Sequence, residues 1–424
     1  MNSTTTTRGS GAGIRSNSRS VLGPQPNTDT SLAPPARSQL RDGAQRSEAS
    51  RALRARAIAL YLPQFHPIPE NDEWWGKGFT EWTNTAKAKP MFRGHYQPHI
   101  PADLGFYDLR VPETREAQAA LARRYGIEGF CYYHYWFAGR RILERPFNEV
   151  LHSGTPDFPF CLCWANQTWT GIWHGAPNRI LIEQTYPGRA DHEAHIRALL
   201  PAFADPRYIR VGGKPIFLIY RPNDLPDTAA TLALWRTIAA DAGLEGLHIA
   251  GLADWRDLNL TAVGFDAEIA QATLDIRRRV SRRQLLRWVR DKVGIWRGLP
   301  AIKSYQDFAR RQMLSITAAD ASYPCVTHAW DNTPRSGRNG VVLVGATPEL
   351  FCKVLNTAIG ALQDRSFDQR LLFLKSWNEW AEGNHLEPDL EFGNGFLRAI
   401  ADALGVEWEV GPDSREQRGY EGNI

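Results

Sequence analysis

From residue 57 onward, hydrophobic positions gather into eight short runs. They are 57–65 (AIALYLPQF), 127–136 (IEGFCYYHYW), 159–166 (PFCLCWAN), 214–221 (KPIFLIYR), 247–255 (LHIAGLADW), 265–271 (FDAEIAQ), 323–331 (YPCVTHAWD) and 371–380 (LLFLKSWNEW). Continuous hydrophobicity of this kind marks strands buried on both faces, as in parallel sheets. Between the runs, apolar residues recur three or four apart in Glu113–Tyr125, Arg141–Leu151, His192–Phe203, Thr231–Ala242 and Pro348–Leu362. That spacing predicts helices, with Pro348 near a first turn, where its missing N–H costs little. Asn394–Leu404 is the expected last helix. Eight strands in a largely regular alternation with helices predict an α/β fold of the (β/α)8 TIM-barrel type. A doubly wound open sheet is the competitor, but no run is followed by a GxGxxG turn and no P-loop motif occurs.

The barrel is expected over 57–406, which is long for a bare barrel, so insertions are expected at 66–112 and 272–322. Residues 1–56 are rich in Ser, Thr, Gly, Pro and Arg and show no period. Such a stretch buries too little surface to offset its chain entropy, so it is expected to be a disordered tail. Its Ser- and Arg-rich, acid-poor composition also fits an organelle-targeting peptide, although no amphipathic helix stands out. Residues 407–424 are expected to form a C-terminal tail.

Charge changes the picture once it is divided. The 424 residues carry a net +4, but nine Arg against Asp29, Asp42 and Glu48 put +6 on residues 1–56 and leave −2 for the rest. A nucleic-acid partner thereby loses its main support. One basic stretch remains, 277–297, with Arg277, Arg278, Arg279, Arg282, Arg283, Arg287, Arg290, Lys292 and Arg297 against Asp291 alone. Leu285, Leu286, Trp288, Val289, Val293 and Trp296 interleave with them. Three readings stay open: a solvated helix packed on the barrel, a basic amphipathic helix on an anionic membrane surface, or a cradle for a phosphate-bearing donor or lipid carrier. The five Cys form no CxxC, which argues against a disulfide scaffold and a zinc ribbon. No run approaches 18 apolar residues and the start has no apolar signal core, so a cytoplasmic protein is expected, with peripheral contact at the inner membrane face as an option.

In a TIM barrel, chemistry gathers at the C-terminal strand ends. Here those ends carry Tyr61 and His66, then Tyr133, His134 and Trp136, then Trp164 and Asn166. Asp254 and Trp255 end the fifth run, His328, Trp330 and Asp331 the seventh, and Asn378, Glu379, Trp380 and Glu382 the eighth. With Trp75 in the first long loop, the set suits a carbohydrate groove: indoles cover the apolar faces of sugar rings, and Asn, Asp, His and Tyr bond hydroxyls. The sharpest local pattern is Asn378-Glu379-Trp380-Ala381-Glu382-Gly383. In a continuing strand, residues three apart face opposite sides. If the strand ends near Trp380, a turn at Gly383 brings Glu379 and Glu382 into one pocket. Two adjacent carboxyls suit acetal chemistry, one as acid and one as base or nucleophile, because like charges push one pKa upward. Lys375 inside the eighth run needs a buried partner, for which Asp266 or Glu268 are candidates. The eleven His show no HExxH or HxxEH spacing, so no metal and no cofactor are expected; convergence of His134, Asp254, His328 and Asp331 is the alternative.

Four segments together resemble the WbsX-type glycosyltransferase family of bacterial O-antigen and surface-polysaccharide synthesis. They are LYLPQFHPIPENDEWWGKGFTEWTN (60–84), FCYYHYWF (130–137), WANQTW (164–169) and KSWNEWAEGNHLEP (375–388). The catalytic domain of that family is similar to glycoside hydrolase family 99, the endo-α-mannosidase barrels. The resemblance runs from Ala57 to Leu404 and leaves out the tail and the basic stretch. It implies a retaining mechanism through a 1,2-anhydro sugar. Glu379 then takes the proton from the substrate 2-hydroxyl, and Glu382 protonates the departing oxygen and later activates the acceptor. It also implies that Tyr61, Tyr133, Trp164 and Asn166 line sugar subsites. Ala381 stands where the hydrolase motif has His, which removes one sugar contact.

Three functions follow as alternatives: a glycosyltransferase building a surface polysaccharide, a retaining endo-glycoside hydrolase, and a non-catalytic glycan-binding barrel. The expected partner is an oligosaccharide or lipid-linked glycan. Nothing in the sequence marks a sugar-nucleotide site.

Overall fold

The computed structural model describes residues 53–408, apart from 172–175, 254–258, 273–292, 294–297, 317–318 and 320. Asp254, Trp255 and the basic stretch 277–297, save Val293, therefore lie outside the described residues.

The eight apolar runs form eight strands: β1 (Arg56–Tyr61), β2 (Ile127–Phe137), β3 (Phe160–Trp164), β4 (Lys214–Ile219), β5 (His248–Ala253), β6 (Ala267–Gln271), β7 (Ser322–Thr327) and β8 (Leu371–Lys375). Each pairs in parallel with the next, and β8 pairs in parallel with β1, so the sheet closes. Closure leaves no edge and puts every strand between an inner filling and an outer helix layer, which is why the runs read as continuous rather than alternating.

Among the described residues, seven helices of nine or more residues accompany the strands: α1 (Pro112–Arg124), α2 (Arg145–Ser153), α3 (Arg189–Ala204), α4 (Thr228–Asp241), α5 (Tyr305–Ser315), α6 (Pro348–Gly360) and α7 (Gly395–Leu404). Between β5 and β6 the described residues hold only a 3-10 turn, Thr261–Val263. The helix expected at Arg141–Leu151 starts later. β2 runs on to Phe137, turns through Ala138 and Gly139 at positive φ, and pairs antiparallel with Arg140–Ile142. Pro146 then fixes the first turn of α2. α6 begins where the sequence put it, with Pro348 in its first turn and the Thr347 hydroxyl accepting from the Leu350 N–H.

The insertions supply site structure. The first contains two short helices, Pro69–Trp75 and Glu81–Ala86. The described part of the second contains Ala301–Ser304, which pairs in parallel with Val341–Val344, and α5. Cys131, Cys161, Cys163 and Cys325 are buried and free, as small apolar residues are. Among the described residues no helix is long and apolar enough to cross a membrane.

Candidate active site

β8 ends at Lys375, and the chain folds into a small hairpin. Asn378–Glu379 pairs antiparallel with Asn384–His385, and Trp380–Glu382 forms a 3-10 turn between them. Gly383 closes that turn at φ 55°, and a Cβ there would lie 2.8 Å from the Asp331 Cβ and 2.9 Å from its N. Glycine is thus required by both backbone angle and space. The Asp331 N–H donates to the Glu382 carbonyl at 2.7 Å, pinning the turn to the end of β7.

This geometry joins the two glutamates by a side-chain hydrogen bond. Glu379 is 5% and Glu382 6% exposed. Burial pushes Glu379 up, but the Lys375 ammonium, the bond to Glu382, Arg335 and the Ser376 hydroxyl at 3.0 Å together hold it below the usual carboxylate range. Burial and the charge on Glu379 hold Glu382 well above that range, against the pull of Arg335. The Arg335 guanidinium donates to Glu382 Oε1 at 2.6 Å and to Glu81 Oε1 at 2.5 Å. Glu81 is 1% exposed and also accepts the Ala381 N–H at 3.1 Å. Its pKa is raised by burial, with Arg335 opposing. Three carboxyls thus share a buried site with two cations, Arg335 and Lys375, and one proton balances the charge. Of the three, Glu382 is the one pushed furthest upward, by burial and by the charge on Glu379. Glu379 is pushed the other way, and two neighbouring carboxyls with opposite shifts are the electrostatic arrangement that acid–base chemistry uses.

Lys375 does not reach strand six. Asp266 is committed to Arg236 at 2.7 Å and to the Ile249 N–H at 2.7 Å. The Lys375 ammonium instead lies 5.1 Å from the Trp330 ring centroid, within the fields of Tyr220, Glu379 and Glu382. Trp330 is half-buried, and its Nε1 has no partner. Tyr133 and Tyr135, on one face of β2, are raised by burial and then by the Glu379 charge. Tyr133, Trp330, Glu379 and Glu382 are therefore the expected residues that the fold brings together.

Others occupy different places. Tyr61 points into the helix layer, where its hydroxyl donates to Gln118 at 2.7 Å. His134 shares a 2.9 Å hydrogen bond with His195 of α3, and Trp136 stacks on His195 while donating to Asp191 at 3.1 Å. Trp164 packs against His195 and against Trp235 of α4. Asn166 spends its amide on Tyr186 and on the Arg221 backbone. Asn378 clamps Leu62 N–H and C=O, joining β8 to β1. Trp380 stacks on His385 at 3.6 Å and donates to Glu387 at 2.6 Å. Asp331 accepts from His95, Gln97 and both Thr333 donors, leaving neither oxygen free. Trp75 is half-buried, 6.1 Å from Phe79. His66 is buried, its Nδ1 near the Pro63 carbonyl and its Nε2 without a partner. A convergence of His134, His328 and Asp331 does not occur, since His328 bonds the His385 carbonyl at 2.9 Å.

For the residues on strands the differences have one cause. Side chains alternate across a strand, so neighbours such as His134 and Tyr135 face opposite layers. The parity within FCYYHYWF carries that signal. Arg335 and Glu81 were not singled out. Glu81 is an acid set among Phe79, Trp82 and Asn84, which is a legible sign; Arg335 lies beyond the seventh run with no local mark. A cavity of about 320 Å³, lined by Asn166, Thr168, Gln184, Tyr186 and Arg221 among others, opens at the ends of β3 and β4.

Comparison with known proteins bears on this arrangement. The family model described as Glycosyltransferase WbsX matches residues 57–400. WxcX of Xanthomonas campestris pv. campestris strain B100 is 40% identical over 356 residues, covering 83% of this chain and 50% of WxcX. The protein of the same name from strain ATCC 33913 is 39% identical over 360 residues, again 83% and 50%. The chain spans about half the length of these curated relatives. Among solved structures, one described as a glycoside hydrolase-like protein matches with a TM-score of 0.52 at 16% identity, covering 83% of this chain and 94% of that one. It supports the fold. A GH99 endo-alpha-mannosidase from Bacteroides thetaiotaomicron matches with a TM-score of 0.47 at 13% identity, covering 82% and 96%.

Proposed function

Because the chain belongs to the WbsX glycosyltransferase family, we propose that it is a carbohydrate-active enzyme working at a glycosidic centre, with Glu379 as base and Glu382 as acid. The observation that carries this is the buried pair of neighbouring carboxyls, Glu379 held low by Lys375 and Glu382 held high by burial and the charge on Glu379. Retaining double displacement sets its carboxyls about 5–5.5 Å apart, flanking the scissile bond, and inversion sets them about 6.5–9.5 Å apart. Glu379 and Glu382 instead sit side by side at the two ends of one 3-10 turn, rather than on opposite sides of a bound sugar. That placement supports attack by a neighbouring group of the substrate.

In that route Glu379 takes the proton of the donor 2-hydroxyl as its oxygen attacks the anomeric carbon. The bond to the leaving oxygen breaks, and that oxygen takes the proton of Glu382. A 1,2-anhydro sugar results. Glu382, now a carboxylate, takes the proton of the acceptor hydroxyl as it attacks the same carbon. The epoxide bond opens, and the 2-oxygen recovers its proton from Glu379. Two inversions give retention. Lys375 keeps Glu379 ionised, and Arg335 holds Glu382 and Glu81 in place. With Ala381 fully buried, no side chain at that position reaches a sugar.

The proposed donor is an oligosaccharide or lipid-linked glycan of surface-polysaccharide synthesis, and residues 277–297 are the proposed contact with an anionic membrane surface. The test is mass spectrometry of lipid-linked and surface glycans from cells carrying wild type or Glu379→Gln. Glycans arrested one unit short in the variant are the expected result. Longer, untrimmed glycans in the variant indicate hydrolysis instead, and an unchanged profile removes Glu379 from the reaction.

A further inference from the structure

The return strand of the carboxylate hairpin carries a second cluster that the chemistry above leaves unused. His385 ends that strand, Asp389 follows four residues later, and His99 comes from the first insertion. His99 Nδ1 lies 3.0 Å from His385 Nε2, and Asp389 Oδ2 lies 3.6 Å from the first and 3.7 Å from the second. We propose that these three side chains bind a first-row divalent cation, zinc by preference, with the fourth position open to water.

Three observations support a metal. The first is size: sides of 3.0, 3.6 and 3.7 Å scatter around the separation of about 3.3 Å that Zn–N and Zn–O bonds of about 2.0 Å give between ligand atoms at a tetrahedral centre. The second is the supporting shell. His385 Nδ1 lies 2.9 Å from the Glu387 carbonyl, which only accepts, so Nδ1 carries the proton and the Nε2 lone pair faces the cluster. Asp389 Oδ1 accepts the N–H groups of Glu391 at 3.0 Å and Phe392 at 2.7 Å, which turns Oδ2 inward. Stacking on Trp380 at 3.6 Å and 7° fixes the His385 ring plane. The third is access. The His99 side chain is 13% exposed, against 5% for its two partners, so one side of the cluster meets solvent.

Two imidazole nitrogens and one carboxylate oxygen suit zinc rather than calcium or magnesium, which prefer oxygen shells. Wide sequence separation kept the set out of any spacing motif. A cation there ties the first insertion to the hairpin, alongside the backbone bond from Leu390 N–H to Ile100 C=O at 3.0 Å. His99, His385 and Asp389 are thus positioning residues for the hairpin of Glu379 and Glu382. The inference does not depend on the reaction proposed above. The alternative occupant is a single proton shared by the two histidines.

The test strips the full chain with a chelator and titrates zinc against a chromophoric competitor. One zinc per chain is expected, with a higher Tm in its presence. Loss of one supporting partner typically weakens metal affinity about 10–100-fold, so losing a ligand in His99→Ala or Asp389→Asn should weaken it by more than about 100-fold and abolish the Tm rise. Cobalt titrated into the wild-type chain should give the visible spectrum of a nitrogen- and oxygen-ligated ion, a readout that holds if a variant fails to fold. No stoichiometric zinc in the wild type, equal affinity in both variants, or no cobalt spectrum overturns the proposal in favour of the shared proton.

Discussion

Glu379 and Glu382 differ by three positions and by opposite electrostatics. Glu379 faces Lys375 and the Ser376 hydroxyl, whereas Glu382 bears the field of Glu379 with Arg335 opposing. A pH profile follows with its sign. On the proposed roles, activity should fall as pH drops through the depressed pKa of Glu379, because the base is then protonated. It should fall again as pH climbs through the raised pKa of Glu382, because the acid is then lost. In Lys375→Met the cation that lowers Glu379 is gone, so the acidic limb moves to higher pH while the basic limb stays above it; an unmoved acidic limb would contradict the role given to Lys375. The pair was legible in the sequence because NEWAEG ends a run and holds two acids and a glycine. Its partners were not, since Arg335 and Glu81 reach it from two other loops. Lys375 was recognised as needing a partner, but strand order alone could not say that the partner lay on its own hairpin.

At the scale of the element, the hairpin after β8 is the unit that matters. Its turn depends on Gly383, where φ is 55° and a side chain would meet Asp331. Gly383→Ala should destabilise the fold by about 3 kcal/mol, combining left-handed backbone cost with overpacking, and should lower activity as Glu382 shifts. Denaturant unfolding measures the first effect; a change below about 0.5 kcal/mol would mean that the turn relaxes freely. All eight strands were legible as apolar runs because closed parallel strands are buried on both faces. Continuous hydrophobicity does not show which side a residue faces, so Tyr61, His134, Trp136 and Trp164 were expected in the groove and lie in the helix layer. Short pairings such as Arg140–Ile142 against β2 escaped because three residues carry no period. α5 escaped because it lies beside a stretch dominated by Arg.

For the whole molecule, a buried polar cluster joins the barrel wall to the helix layer. Glu387 accepts from Trp380, Gln118 and Tyr107, while Tyr61 bonds Gln118 and Asn378 bonds Tyr107. Among the described residues no cation pairs with Glu387, and burial pushes it up from 4.5 to about 7, with its hydrogen bonds opposing. An acid raised on folding binds its proton more tightly in the native state. Its stabilising effect is therefore present below the unfolded pKa and is lost as pH rises from about 4.5 to about 7, by about 3 kcal/mol. Taken as the stability difference between wild type and Glu387→Gln, other titrating groups cancel. That difference should move against wild type across this window, and a flat difference would show Glu387 to be ionised at an ordinary pKa. Closure of the barrel was legible from the count and alternation of runs, whereas this cluster draws on four separate segments and was not.

The proposed division of labour between Glu379 and Glu382 depends on where one proton sits. Difference infrared spectroscopy at neutral pH reads it directly, from the carbonyl stretch of a protonated carboxyl. Wild type minus Glu382→Gln should retain such a band, and wild type minus Glu379→Gln should contain only carboxylate bands. A protonated band that disappears with Glu379 instead, or with neither residue, would contradict the assignment of base and acid.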